Sequence, residues 1–202
     1  MKRLTLLSLL ATLAISAVAV GQNLKGYAYG EQAAPRGYES GRAEWESPTE
    51  LSLNKEQPKA WFFLFDSEES ARKVLPENSA YYLSLDGTWK FNWVKDADSR
   101  PTDFWKVGFN DKGWNDIPVP GVWELHGYGD PIYVNIGYAW RNQFENNPPY
   151  VPTEENHVGS YRREITVPAS WKGKDIIAHF GSVTSNMYLW VNGKYVGYSE
   201  DS

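Results

Sequence analysis

The sequence predicts an all-β domain folded as a β-sandwich, and three observations lead to that prediction. Apolar and polar residues alternate along short runs, which is typical of strands with one buried and one wet face. Turn-forming pairs such as Asp86-Gly87 and Asn192-Gly193 separate these runs, and helical periodicity is almost absent. Aromatic residues make up 15% of the chain, including 10 Trp and 13 Tyr, and such rings can fill the core between two sheets.

The first residues predict an export signal. Met1-Lys2-Arg3 is a positive start, Leu4 to Val20 is mostly apolar, and Ala17-Val18-Ala19 is a small-residue cleavage pattern. This run is shorter than the roughly 20 apolar residues of a transmembrane helix, and no second run follows it. We therefore expect a protein that is exported, periplasmic or secreted, with no membrane segment after cleavage. The chain divides into a signal peptide at 1–22, a flexible leader at 23–44 and one domain at 45–202.

Composition argues against several classes of function. Without cysteine, the chain has neither a disulfide framework nor a thiol nucleophile. A net charge of −5, with Lys and Arg scattered among acids, argues against a nucleic-acid partner. The spacing of His126, His157 and His179 does not indicate a metal site, so we expect structural or surface roles. The many aromatic rings suit both sugar stacking and core packing, and for any single ring the core is favoured.

The first part of the domain is expected to contain little regular structure. Leu51 to Phe65 includes the aromatic cluster 61–65 and predicts an extended segment laid over the core. Asp66 to Leu75 predicts a short helix, because Asp66 or Ser67 can cap it, acids occupy its first turn and a proline follows it.

Regular strands are predicted next. Tyr81 to Leu85 and Thr88 to Val94 flank Asp86-Gly87, a pair suited to a two-residue hairpin turn. In the second of these strands every other residue is aromatic, which predicts one apolar face. Asp116 to Leu125 holds two prolines and is therefore confined to an edge strand or an irregular extended run.

A long loop from Gly127 to Thr153 interrupts the strands. It has no periodicity and many turn formers, yet aromatic residues are interleaved through it, which favours an ordered loop. Loops of this length in compact domains are usually functional or disordered, and we expect a functional one.

Three further elements follow the loop: strands at Ser160 to Val167 and Asp175 to Phe180, and a hairpin at Met187 to Tyr198. Arg163 shares an apolar face of the first strand with Tyr161, so it either extends to solvent or pairs with a carboxylate. The chain stops soon after the hairpin, without a closing strand. We therefore expect the sandwich to be incomplete at its C-terminal end.

Four strings then occur in a fixed order: YYLSLDGTWKFNWV from Tyr81, WNDIPVPGVWELHGYGDPIYVN from Trp114, NNPPYVPTEENHVGSYRREITVP from Asn146 and MYLWVNGKYVGYSEDS from Met187. Together they resemble the N-terminal sugar-binding domain of glycoside hydrolase family 2, from about residue 45 to the end. The PIYVN and NPPYVP strings resemble, within that family, the large bacterial β-galactosidases. One departure is His157, where this loop commonly has proline.

The resemblance implies a jelly-roll, galactose-binding-like β-sandwich at the front of a multidomain enzyme with a TIM barrel. That enzyme would hydrolyse terminal non-reducing β-D-galactosides, or oligosaccharides that carry them, with retention, using two Glu residues of the barrel. No residue of this chain matches that pair, so the chain alone is expected to be inactive. For the full enzyme, the resemblance implies missing downstream catalytic domains, homo-oligomerisation, and sodium and magnesium as cofactors.

Two residues match sugar-contacting positions of the family. Asn135, in PIYVN, corresponds to an asparagine that hydrogen-bonds the galactosyl group, and the alternative is a residue that caps a turn. Asp201, in GYSEDS, corresponds to an aspartate that contacts galactose and helps to hold sodium, and the alternative is a solvated turn acid.

Two other functions are compatible with the sequence. A free-standing carbohydrate-binding module would also be a sandwich with exposed aromatic rings, and would lack a downstream barrel. The same domain also occurs in β-glucuronidases and β-mannosidases, although the proline-rich loop argues against both.

Overall fold

A computed structural model describes residues 44–47, 49, 51–60, 62–131 and 151–200. Within these ranges six strands form two three-stranded antiparallel sheets, which confirms the all-β prediction. The strands are β1 Ser52–Leu53, β2 Gly87–Val94, β3 Asn115–Val119, β4 Val158–Arg162, β5 Asn186–Val191 and β6 Lys194–Glu200. Helix α1 is Glu68–Arg72, and short 3-10 helices are Glu44–Glu46, Pro76–Asn78, Ala97–Ser99, Trp123–His126 and Ala169–Trp171.

The first sheet has the order β3-β2-β4, with β2 in the centre. Strand β2 is present as predicted, and Phe91, at the centre of its aromatic face, is 0% exposed and pairs in register with Tyr161 of β4. The ring of Phe91 lies 4.7 Å from that of Tyr161 and 4.8 Å from that of Tyr128. On β3 the matching core residue is Ile117, at 1% exposed. These side chains form the core of the first sheet, and the long loop begins against it, because Tyr128 is one of its first residues.

Strand β3 is an edge strand, as its prolines predicted. Pro118 lies opposite Thr88 of β2, and the other side of β3 has no partner strand among the described residues. Because proline has no N–H to donate, it is tolerated on an edge strand, where one side of the backbone has no partner strand to bond. The rest of the predicted run, from Val122 onward, leads into the 3-10 helix Trp123–His126.

The second sheet has the order β1-β6-β5 and contains the predicted hairpin. Asn192 and Gly193 have φ values of 51° and 81°, the left-handed conformations that a type I′ turn requires. Strand β6 carries the buried Tyr195 and Tyr198. An aromatic contact also connects β5 with the segment between β2 and β3. The ring of Phe104, in that segment, lies 5.4 Å from the ring of Trp190 of β5, centroid to centroid.

The predicted helix is present but shorter than expected, at Glu68–Arg72 instead of Asp66 to Leu75. Ser67 is the N-cap, and its side chain accepts a hydrogen bond from the Ser70 N–H at 3.1 Å. The helix ends early because Val74 has a φ of 63°, a left-handed conformation that breaks the helical hydrogen-bond pattern.

Two predicted strands are wrong. Tyr81 to Leu85 is not a strand, and the carbonyl of Leu85 accepts from the Trp89 indole and the Arg163 guanidinium. Asp175 to Phe180 has no ladder partner among the described residues. Likewise, Ser160 to Val167 is a strand only as far as Arg162. Alternating sequence alone does not make a strand, since a strand also needs a neighbour for its backbone.

The aromatic segment before α1 also differs from expectation. Phe62 is 62% exposed and Leu64 64% exposed, so these side chains are not laid over the core. Phe63 makes a ring contact with Tyr82, at 5.8 Å between centroids.

Several predictions lie outside the described residues. They include the signal peptide at 1–22, nearly all of the leader at 23–44 and residues 132–150 of the long loop. In the part of the chain that is described, no helix has the length and apolar character needed to cross a membrane.

Candidate functional site

Asn135 and Asp201, the two predicted sugar-contacting residues, both lie outside the described residues. The structure does describe the chain that leads to each of them. Pro131 and Val151 flank the undescribed part of the long loop, and Glu200 directly precedes Asp201. The candidate site is therefore built from these three points.

The two described ends of the long loop, residues 127–131 and 151–153, are called its first and second roots. The first root packs on the core of the first sheet. The 3-10 helix before it ends at Gly127, whose φ of 86° turns the chain so that Tyr128 contacts Phe91. Gly129 also has a positive φ, 71°, and a Cβ there would lie 3.2 Å from Nδ1 of His157. Any other residue would be strained here by the positive φ, and its Cβ would press on the His157 ring.

His157 is a packing residue at this root. Its ring lies 5.0 Å from the ring of Trp93, centroid to centroid, and its Nε2 is 3.8 Å from a carboxylate oxygen of Glu155. The indole Nε1 of Trp93 is buried and has no hydrogen-bond partner in the part of the chain that is described. Among these same residues, no three His, Cys, Asp or Glu side chains are grouped so that they could hold a metal ion.

Charged residues surround the same root. Lys95 and Glu155 form an ion pair at 2.5 Å, and the Glu155 N–H donates to Asp96 at 2.9 Å. The hydrogen bond from Lys95 to Glu155, with the charge of that carboxylate, raises the pKa of Lys95. Because both partners are exposed, this pair contributes little to stability and mainly orients the turn that carries Glu155.

The second root of the loop is held by backbone hydrogen bonds. The Ala97 N–H donates to the carbonyl of Thr153 at 2.8 Å, and the Asn156 side chain donates to the carbonyl of Pro152 at 3.0 Å. The Val151 N–H donates to Oε1 of Glu46 at 3.3 Å. The loop therefore returns to the domain at a point that two other segments, at Glu46 and Ala97, hold in place.

The end of β6, which leads to Asp201, is also firmly held. Glu200 pairs with Asn186 of β5, and its N–H donates to the carbonyl of Leu51 at 3.0 Å. The hydroxyl of Tyr198 donates to Oε2 of Glu200 at 2.6 Å. Burial, together with this hydrogen bond and the charge of Glu200, raises the pKa of Tyr198, so the phenol stays protonated as a donor.

Glu44 is a buried acid that the sequence did not single out. It is 3% exposed, and its Oε2 accepts a hydrogen bond from Tyr188 at 3.1 Å. Burial and the nearby Glu44 carboxyl group raise the pKa of Tyr188. No pattern in the sequence could reveal this contact, because the two residues are 144 positions apart.

Arg163 is exposed, in agreement with the first of the two alternatives given for it. Its guanidinium donates to the backbone carbonyls of Leu85 and Asp86 and lies 5.8 Å from the centre of the Trp89 ring. The neighbouring Arg162 is the residue that pairs with a carboxylate, that of Asp111, at 2.7 Å. Both arginines therefore have structural roles.

Residues 82–202 match the family model described as the sugar binding domain of glycosyl hydrolases family 2. The chain belongs to this family. The match covers β2 to β6 and both roots of the long loop, and it confirms the resemblance found in the sequence. It also agrees with the two antiparallel sheets, since the sugar-binding domain of this family is a jelly-roll-like β domain.

The chain is also similar to proteins named β-galactosidase. It is 38% identical over 164 residues to the β-galactosidase of Priestia megaterium, which covers 81% of this chain and 16% of that protein. It is 39% identical over 138 residues to that of Halalkalibacterium halodurans, covering 68% of this chain and 13% of that protein. It is 37% identical over 136 residues to the β-galactosidase large subunit of Leuconostoc lactis, covering 61% of this chain and 22% of that protein. The chain therefore spans less than a quarter of the length of these relatives.

Proposed function

We propose that this chain is the N-terminal sugar-binding portion of a β-galactosidase that hydrolyses terminal non-reducing β-D-galactosides with retention. The observation that supports this most directly is the similarity to proteins named β-galactosidase, at 35–41% identity in four of them. The shared name favours a galactoside over a glucuronide or a mannoside. The catalytic carboxylate pair belongs to other parts of the full-length enzyme, so the chain contributes to sugar binding and not to bond cleavage.

Asn135 and Asp201 are the proposed sugar contacts. An amide side chain offers donors and an acceptor, which suits a ligand rich in hydroxyl groups. A carboxylate can accept from a hydroxyl group and can also bind a hard cation such as sodium. The hydrogen bonds of Val151 and Glu200 support this proposal, because they fix the described positions from which the chain leads to both residues.

Cellular location and assembly belong to the same proposal. The apolar run after Met1-Lys2-Arg3 supports export to the periplasm or beyond. By resemblance, the full enzyme is a homo-oligomer that uses sodium and magnesium, and Asp201 is one of its sodium ligands.

The test uses the full-length enzyme and the variants Asn135→Ala and Asp201→Ala. Loss of a hydrogen bond to an uncharged hydroxyl costs about 0.5–1.5 kcal/mol, and loss of one that involves a charged group costs about 1.5–3 kcal/mol. We therefore expect kcat/KM to fall roughly 2- to 13-fold for Asn135→Ala and roughly 13- to 150-fold for Asp201→Ala. Asp201→Ala should also abolish any dependence of the rate on sodium.

Matched controls are Asn78→Ala and Asp175→Ala, which remove the same side-chain types from exposed positions. Both should leave kcat/KM unchanged. If the two site variants lower only the melting temperature and leave kcat/KM of the folded enzyme unchanged, neither residue contacts sugar and the chain is a scaffold.

A further inference from the structure

We infer that the 3-10 turn Glu44–Glu46 is a positioning clasp, which holds the return of the long loop and the end of β6 in one fixed arrangement. This inference rests on the proposed function, because those two elements lead to the proposed sugar contacts. Glu44, Trp45 and Glu46 are therefore assigned as positioning residues for galactoside binding, although none of them is proposed to touch the sugar.

Glu46 makes the contact with the loop. Its Oε1 accepts from the Val151 N–H at 3.3 Å, across 105 positions of sequence. Val151 is the first described residue after the loop segment 132–150. A carboxylate acceptor at this point fixes where the loop rejoins the domain.

Glu44 makes the contact with the β5–β6 sheet. Its Oε2 accepts from the hydroxyl of Tyr188 at 3.1 Å, and the rings of Tyr188 and Tyr198 lie 4.7 Å apart, centroid to centroid. Tyr198 in turn donates to Glu200 at 2.6 Å. Three successive contacts therefore connect Glu44 to the residue that precedes Asp201.

Trp45 contacts both sides. Its ring meets that of Tyr188 edge-on at 6.0 Å, and the guanidinium of Arg100 lies 5.3 Å from the centre of the Trp45 ring. Arg100 donates to the carbonyl of Ala97 at 2.6 Å, and the N–H of Ala97 donates to Thr153. A second set of contacts therefore runs from the turn to the loop root.

The geometry of the turn suits this arrangement. A 3-10 helix has about three residues per turn, so side chains two positions apart point in different directions. Glu44 and Glu46 can therefore bind partners on different sides, while the Ser47 N–H closes the turn on the carbonyl of Glu44 at 2.8 Å.

The burial of Glu44 argues that the turn does more than stabilise the fold. Its Oε1 is buried and has no hydrogen-bond partner within the described ranges. Burying a carboxyl group without full hydrogen bonding costs free energy. A directional acceptor toward Tyr188 is what the acid supplies and an apolar residue would not.

The experiment measures kcat and KM of the full-length enzyme carrying Glu46→Ala, Glu46→Gln or Tyr188→Phe. Glu46→Ala removes the acceptor, and misalignment of a distant contact by about 1 Å can cost on the order of 100-fold in rate, so we expect kcat/KM to fall about 5- to 50-fold. Glu46→Gln keeps an acceptor oxygen and should restore kcat/KM to within about twofold. Tyr188→Phe keeps the ring but loses the bond to Glu44, and should act in the same direction as Glu46→Ala.

The control is Glu77→Ala, which changes an exposed acid in the three-residue 3-10 helix Pro76–Asn78 and should have no effect. If Glu46 acts through the loop, combining Glu46→Ala with Asn135→Ala should lower kcat/KM by clearly less than the product of the two single losses. A general loss of stability would instead give multiplicative effects and no rescue by glutamine.

The two proposals fail in different ways. Normal kcat/KM for Glu46→Ala and Tyr188→Phe, with Asn135→Ala and Asp201→Ala impaired, overturns the clasp alone. Normal kcat/KM for Asn135→Ala and Asp201→Ala overturns the proposed sugar contacts.

Discussion

Replacement of Gly159 by alanine should destabilise the first sheet, because its single added carbon has no space. Gly159 lies on β4 opposite Trp93, and a Cβ there would be 2.6 Å from one carbon of the Trp123 ring and 2.8 Å from one carbon of Phe91. Carbon atoms in favourable contact are about 3.5–4.0 Å apart, so the rings would have to withdraw by roughly 1 Å. Phe91 cannot withdraw easily, since Tyr128 and Tyr161 flank it.

The expected cost follows from overpacking. Extra carbon in a well-packed core costs about 1–3 kcal/mol, which corresponds to roughly 5- to 150-fold faster opening. Hydrogen exchange of the full-length enzyme, followed in peptides that cover β2 and β4, measures this opening within the domain. Peptides from β5 and β6 should change less, because they belong to the other sheet.

Gly181→Ala is the matched control, since within the described ranges no atom beyond its two chain neighbours lies within 4 Å of the added Cβ. Exchange in β2 and β4 should then be unchanged or slightly slower. Adding Phe91→Leu to Gly159→Ala should relieve part of the clash, so the two effects should be less than additive. Equal exchange in Gly159→Ala and Gly181→Ala would refute the argument from packing.

Two further predictions concern pH and the isolated chain. Burial raises the pKa of Tyr188 and Tyr198 above the ordinary value of 10.0, so the unfolded state ionises first. Their contribution to stability is complete below about pH 10 and declines above it by roughly 1 kcal/mol per pH unit for each ring. Tyr198→Phe should reduce this slope in urea unfolding, and an unchanged slope would count against the assignment. The 202-residue chain alone should not hydrolyse a chromogenic β-galactoside, and it should self-associate in sedimentation because large apolar side chains are exposed. Turnover above a blank would contradict the first expectation, and a monomer at all concentrations would contradict the second.

The sequence by itself predicted the elements that depend on neighbouring residues: a hairpin turn, a strand and a helix cap. The β5–β6 hairpin was predicted because Asn192-Gly193 supplies two left-handed residues in a row, and β2 because its aromatic residues alternate. The N-cap of α1 was predicted as Asp66 or Ser67 because acids follow in the first turn, and the structure has Ser67. The family, and with it Asn135 and Asp201 as candidates, followed from strings of residues and not from geometry.

Only the tertiary structure decided which extended segments have partners and which acids are buried. Tyr81 to Leu85 has a strand-like sequence, but its last carbonyl accepts from Trp89 and Arg163 instead of a neighbouring strand. Glu44 and Glu46 look like ordinary acids in a polar stretch, yet their partners, Tyr188 and Val151, lie more than 100 positions away. Such contacts depend on how the whole chain folds, because they join residues more than 100 positions apart and no local pattern encodes them.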